Sequence, residues 1–205
     1  DDGLLVEAWA PFVRELSVLV ARRPGGEHVV YPVAYTEQRD HRCHAVVVPA
    51  GISPEVAGAA QRIGLAAVEA FGSVGITAVE LFELADGTIL INEMAPRPHN
   101  TGHYSIEGSQ TSQFENHLRG ILDWPLGDPS LRAPCAVMVN VLGHRSGPAS
   151  TDGLRDALRI DGAAIHIYGK ADVKPRRKMG HVTTTGDSPD ETRARAERAA
   201  SLIML

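Results

Sequence analysis

Apolar residues recur along the first fifty positions in short runs typical of strands, and afterwards at helical spacing. Residues 4–9, 15–21, 28–34 and 43–48 are rich in Val, Leu and Ala and predict four strands. Pro24-Gly25-Gly26 supplies a turn, and the four runs together predict an antiparallel meander. The period changes at Ser53-Pro54-Glu55, which combines a hydroxyl N-cap, a proline at the first helical position and an acid in the first turn. Val56, Ala60, Ile63, Ala67 and Ala70 follow at helical spacing until Gly72 and Gly75 end the run. Its small residues predict close packing on the sheet.

Residues 76–84 and 88–94 predict two strands joined by Asp86-Gly87, a strong hairpin signal. Residues 95–110 are polar and punctuated by Pro96, Pro98, Gly102 and Gly108, which predicts a loop. Residues 111–122 predict a helix with Phe114, Leu118, Ile121 and Leu122 on one side. Trp124-Pro125-Leu126-Gly127-Asp128-Pro129 breaks the chain, and a boundary there divides it into 1–125 and 126–205. Beyond it come strands at 136–142, 164–168 and 181–185, a short helix at 152–158 and a basic loop. Ser188-Pro189-Asp190-Glu191 is a capping box that opens a last helix.

The chain has 205 residues, 43% hydrophobic and 22% charged, the proportions of a globular protein. A net charge of −5 argues against general nucleic-acid binding. No run of about 18 apolar residues predicts a membrane span, and no leader precedes the first strand. The opening Asp1-Asp2-Gly3, running straight into apolar residues, suggests a fragment or a processed chain. Cys43 and Cys135 are too far apart in sequence for a disulfide framework or a cysteine zinc site, and read as free thiols of a reducing cytoplasm. The nine histidines are scattered, with no His-x-x-x-His pair on a predicted helix.

The hairpin carries the sharpest chemical inference. If Asp86 and Gly87 are the loop, Ala85 faces Thr88, Leu84 faces Ile89, Phe82 faces Ile91 and Glu80 faces Glu93. Both acids then lie on the apolar side. A buried like-charge pair requires a cation or a shared proton, and carboxylate oxygens suit Mg²⁺ beside substrate phosphates. Arg97, His99, Asn100 and His103 follow on one loop, where Arg can clamp an anion and His and Asn can orient a polar heterocycle. Lys170, Lys174, Arg176, Arg177 and Lys178 stand against only Asp172, which reads as a solvated basic loop or as a phosphate pocket.

The segment INEMAPRPHNTGHYSIEGSQTSQFENHLRGILDWPLGD closely resembles the signature of the N5-carboxyaminoimidazole ribonucleotide synthetases, ATP-grasp ligases of purine biosynthesis that include the ATPase subunit of phosphoribosylaminoimidazole carboxylase. LLVEAWAPFVRELSVLVARR resembles their adenine and ribose strands, and YGKADVKPRRKMGHVTTTGDSPDE their C-terminal substrate loop. The resemblance implies an α+β fold: the second half of an ATP-grasp module, an antiparallel sheet with flanking helices, followed by a small α+β domain. It implies a cytoplasmic ATP- and bicarbonate-dependent carboxylase of 5-aminoimidazole ribonucleotide, acting as a homodimer, with ATP and Mg²⁺ bound and neither nucleic acid nor membrane as partner.

Carried over by motif, Glu7, Ala8, Trp9 and Ala10 match the adenine segment and Glu15 the ribose contact. Glu80 and Glu93 match the metal carboxylates, and Asn92 precedes the second. Arg97 and His99 match catalytic positions and, with Asn100, the ribonucleotide loop; Lys170, Arg177 and Lys178 match its phosphate-binding bases. The chain departs from the pattern at Gln38, where a nucleotide-contacting His is usual, and at Arg176, where a glycine is usual. The N-terminal domain and first half of the ATP-grasp module, with their phosphate-binding lysines and glycine-rich lid, have no counterpart. The chain by itself is therefore expected not to hydrolyse ATP. A different ATP-grasp ligase and a non-catalytic nucleotide-binding remnant are the competing readings.

Overall fold

The computed structural model describes residues 3, 4 and 6–205. The first strands are β1 (Phe12–Arg22), β2 (His28–Val30), β3 (Ala34–Arg39) and β4 (Arg42–Val48). Helix α1 (Pro54–Phe71) and the hairpin β5 (Gly75–Leu84) and β6 (Ile89–Ala95) follow. A 3-10 turn at Asn100–Gly102, α2 (Ser105–Gly108) and α3 (Gln113–Ile121) come next. Then come β7 (Cys135–Leu142), β8 (Gly147–Pro148), α4 (Leu154–Ala157) and β9 (Ala164–Ile167). The chain ends with β10 (Asp172–Val173), β11 (Lys178–Gly186) and α5 (Pro189–Leu202).

Nine strands form one sheet in the order β6-β5-β1-β3-β4-β7-β11-β9, with β2 added beside β1, while β8 and β10 make a separate ribbon. The pairings are antiparallel, and β4 pairs with β7, so the sheet runs on across the break at 124–129. This is the expected α+β fold. Helix α1 packs on the face that carries Leu16, Val18, Val79 and Leu81. Val137 and Val139 pack with Ala196 of α5 on that same face farther along, because Leu16 stands opposite Tyr35, Tyr35 opposite Val47 and Val47 opposite Val137. The other face carries Leu19, Ile76, Ala78 and Met138 and buries Tyr31 and Tyr104.

Both capping expectations hold: Ser53 accepts from the Val56 N–H and Ser188 from the Glu191 N–H. Four others need correction. Of the expected strand at 4–9, Leu5 lies outside the described residues and the others are not in a strand: the β1–β5 ladder ends where Phe12 stands opposite Leu84. The run 28–34 is split, because Pro32 has no N–H to give a ladder, and β3 continues through Thr36, Glu37 and Gln38, too polar to read as a strand. The loop at 95–110 contains the 3-10 turn and α2. Helix α3 buries Gln113, Asn116 and Gly120, and leaves Phe114, Leu118, Ile121 and Leu122 exposed.

Candidate functional site

The hairpin places Glu80 opposite Glu93, by a route the sequence did not reveal. Its loop has three residues rather than two: the Leu84 N–H donates to Thr88 O, and Gly87 sits at φ 82° where a side chain would be strained. Glu83 therefore faces Ile89 and Phe82 faces Leu90, correcting the expected pairs. Carried inward, that register would turn Glu93 to the other face, because a one-residue slip reverses a strand. A bulge at Asn92 restores it: Leu81 pairs with Ile91, whereas Glu80 pairs with Glu93. The acids are not on the hairpin's main apolar side. Val79, Leu81 and Ile89 pack toward α1, and the acids look out on the opposite face, Glu80 half-buried and Glu93 exposed. Ser17 on β1 faces Glu80, and Glu15 lies two residues along on the same face.

The loop after β6 folds back over this face. Thr101 Oγ1 meets Ser17 Oγ at 2.8 Å, and His99 Nδ1 lies 3.0 Å from Thr101 Oγ1 and 3.6 Å from Glu80 Oε1. Donor atoms of Glu80, Glu93 and His99 all lie within 4.8 Å of one another. Burial first, then the Arg97 and Lys178 charges, lower the His99 pKa to about 4, so its ring is neutral at pH 7 and keeps a lone pair. Burial first, then Glu93 and Glu15, raise the Glu80 carboxyl above its ordinary value. Two carboxylates and a neutral imidazole form a donor set that fits a divalent cation.

These groups line a cavity of about 250 Å³ together with Gln38, Asn100 and Lys178. The Lys178 ammonium donates to Asn100 Oδ1 at 2.8 Å, and burial lowers its pKa while the nearby Cys43 and Glu80 hold it up. The Asn100 amide pairs reciprocally with Asn140, at 2.8 and 2.9 Å. The basic loop does turn back at Pro175: the Arg177 N–H donates to Lys174 O, with Arg176 at φ 68°. Lys178 is the base that reaches the loop at 97–103. Lys170 Nζ donates to Lys178 O at 2.5 Å, and Arg177 donates to Asp172 O at 3.0 Å.

Other sequence-nominated residues lie farther out. Glu7, Ala8 and Trp9 are exposed, Ala10 is half-buried, and none lines the cavity. Asn92 is the exposed bulge residue, and Arg97 is exposed with its guanidinium on Pro98 O. Glu15 is bonded to Gln38, and burial raises its carboxyl more than that bond lowers it. Sequence reasoning missed His41, Arg42, Cys43 and Thr101, all of which line the cavity. Asp40 and His41 both have positive φ and form the β3–β4 turn; a pairing of β3 with β4 would have been the signal.

Residues 1–114 match the ATP-grasp domain family model, and residues 136–195 match that of the phosphoribosylaminoimidazole carboxylase C-terminal domain. The chain is 48% identical over 202 residues to an N5-carboxyaminoimidazole ribonucleotide synthase of Mycobacterium tuberculosis, covering 97% of this chain and 47% of the relative. It is 44% identical to a phosphoribosylaminoimidazole carboxylase of Schizosaccharomyces pombe, over 95% of this chain and 36% of that one. The N5-carboxyaminoimidazole ribonucleotide synthetase of Thermotoga maritima superposes with a TM-score of 0.88 at 42% identity, over 97% of this chain and 54% of that one. The synthase of Aspergillus clavatus, solved with ADP and 5-aminoimidazole ribonucleotide, gives 0.87 at 38%, over 95% and 52%. The chain thus spans about half the length of the bacterial relatives it matches. The metal-competent acid pair, the loop folded over it and these likenesses agree: the chain belongs to the ATP-grasp family.

Proposed function

We propose that this chain is the part of an N5-carboxyaminoimidazole ribonucleotide synthetase that brings the phosphates of ATP together with 5-aminoimidazole ribonucleotide. The observation that carries the reading is the convergence of Glu80, Glu93, His99, Asn100 and Lys178 on one cavity. When bound, Mg²⁺ would supply charge neutralisation between phosphate oxygens, and Glu80 and Glu93, with His99 in reach, would hold it. Glu7 to Ala10 and Glu15 would take adenine and ribose, and Gln38 would stand where the nucleotide contact is usual. Arg97, His99 and Asn100 would face the aminoimidazole, with Lys178, Lys170 and Arg177 toward the ribonucleotide's phosphate.

In this reading bicarbonate oxygen takes the γ-phosphoryl group of ATP, releasing ADP. The exocyclic amine then attacks the carboxyl carbon, phosphate leaves, and the amine gives up a proton. Arg97 and Lys178 counter the charge of the acyl phosphate, and the leaving phosphate takes up that proton. Two buried free thiols suit a reducing cytoplasm, and a homodimer is the assembly the resemblance implies.

The test is ADP release by a complete polypeptide carrying this sequence. It should require both bicarbonate and the ribonucleotide, and Glu93→Gln should lower turnover at least about a hundredfold. ADP release indifferent to the ribonucleotide would assign the chain to a different ATP-grasp ligase.

A further inference from the structure

Helix α3 turns its polar side inward, and Gln113 at its start is completely buried. An amide buried without partners costs a few kcal/mol, so what it bonds is informative. The Gln113 Oε1 accepts from the His99 N–H at 2.9 Å, and Nε2 donates to His99 O at 2.8 Å. The second hydrogen of Nε2 meets His103 Nδ1 at 2.9 Å. One side chain thus satisfies both backbone groups of His99, as a neighbouring strand would. The anchor is itself fixed. The Gln113 N–H donates to Ser105 Oγ, whose hydroxyl donates to Gly102 O, and a Cβ on Gly102 would stand 2.4 Å from Gln113 Oε1.

We propose that Gln113 is a positioning residue of the site: its carboxamide clamps the His99 backbone, aims that imidazole at Glu80 and the cavity, and holds His103 in the Nε2–H tautomer. The inference rests on the reading of His99 as substrate-facing. The tautomer follows from the donor: a ring nitrogen that accepts from an amide carries no proton. Around His103 stand the rings of His99, His166, His181, Tyr168 and Phe114 and the Lys178 ammonium. Within this stack the Glu107 carboxylate is bonded to His166.

Gln113→Leu removes the clamp at similar volume. In a complete polypeptide it should raise the KM for 5-aminoimidazole ribonucleotide about tenfold or more and leave the KM for ATP within about twofold. A KM for the ribonucleotide raised by His99→Ala but normal in Gln113→Leu overturns the assignment of Gln113 alone. A normal value in His99→Ala overturns the site reading with it. The His103 ring gives a readout in this chain without turnover. In nitrogen-15 NMR the ring should carry its proton on Nε2, and its bare Nδ1 should shift in Gln113→Leu, which removes the donor. A ring protonated on Nδ1, or an Nδ1 unshifted in the variant, overturns the clamp.

Discussion

Glu80 shows how a single residue can oppose the fold that holds it. Its carboxyl titrates above the ordinary value because it is half-buried and faces Glu93 and Glu15, with Lys178 and Arg97 only partly compensating. A carboxyl whose folded pKa is raised contributes stability below its unfolded value and loses it as pH rises through the folded one. At pH 7 ionising Glu80 therefore costs stability in the absence of metal. Like charges directly opposite on two strands cost about 0.2–1 kcal/mol. Glu80→Gln should raise the Tm by about 1–3 °C in EDTA at pH 7 and by nothing measurable near pH 4. Mg²⁺ or Mn²⁺ should raise the Tm of the parent chain, and Glu80→Gln should abolish that rise. Thermal melts under the three conditions check this; an equal gain at both pH values would show that repulsion is not the cause.

At the scale of elements, what the sequence revealed was local. Ser53-Pro54-Glu55 and the Ser188 box announce their helices because a cap is a contact across three residues. The acid pair was also legible, though for an incomplete reason: the two-residue loop assumed from Asp86-Gly87 is a three-residue loop offset by the bulge at Asn92. Nothing around Asn92 marks a bulge, since bulging depends on the partner strand. The inverted face of α3 was illegible for the same reason, because Gln113, Asn116 and His117 bond to His99, Tyr31 and Ile76, all distant in sequence. The turn at 174–177 shows a local rule broken. Pro175 followed by a positive φ at Arg176 is the pattern of a type II turn, whose third position favours glycine. An L-residue with a side chain loses about 1–2 kcal/mol in the left-handed region. Arg176→Gly, the residue usual in the resembled family, should therefore raise Tm by about 2–4 °C, discounted for glycine's greater freedom in the unfolded chain. An unchanged or lower Tm would mean that the Arg176 side chain makes contacts worth more than the strain.

Across the whole molecule, the sheet brings together what the sequence separates. Four strands, β1, β3, β4 and β7, stand between Glu80 on β5 and Lys178 on β11. At about 4.8 Å per strand, a flat sheet would hold those two backbones roughly 24 Å apart. Both nevertheless line one cavity, so the sheet curls around it, in keeping with the twist of antiparallel strands. The curl carries a cation from the region matching the carboxylase C-terminal domain into the acid face of the ATP-grasp region, in a chain of net charge −5. Lys178 and Arg177 should consequently behave differently although they are neighbours. Lys178 is half-buried against Asn100 and close to Glu80, so Lys178→Met should leave the acids less compensated and raise the KM for ATP and for the ribonucleotide alike. Arg177 is exposed, bonded to Asp172 O and not part of the acid cavity; in the proposed role on the ribonucleotide's phosphate, Arg177→Ala should raise the ribonucleotide KM about tenfold and spare ATP. Steady-state kinetics of both variants in a complete polypeptide decide the matter. Equal losses for both substrates in Arg177→Ala would place that side chain in the support of the turn, whereas an ATP KM untouched by Lys178→Met would mean that the curl brings this ammonium to the ribonucleotide alone.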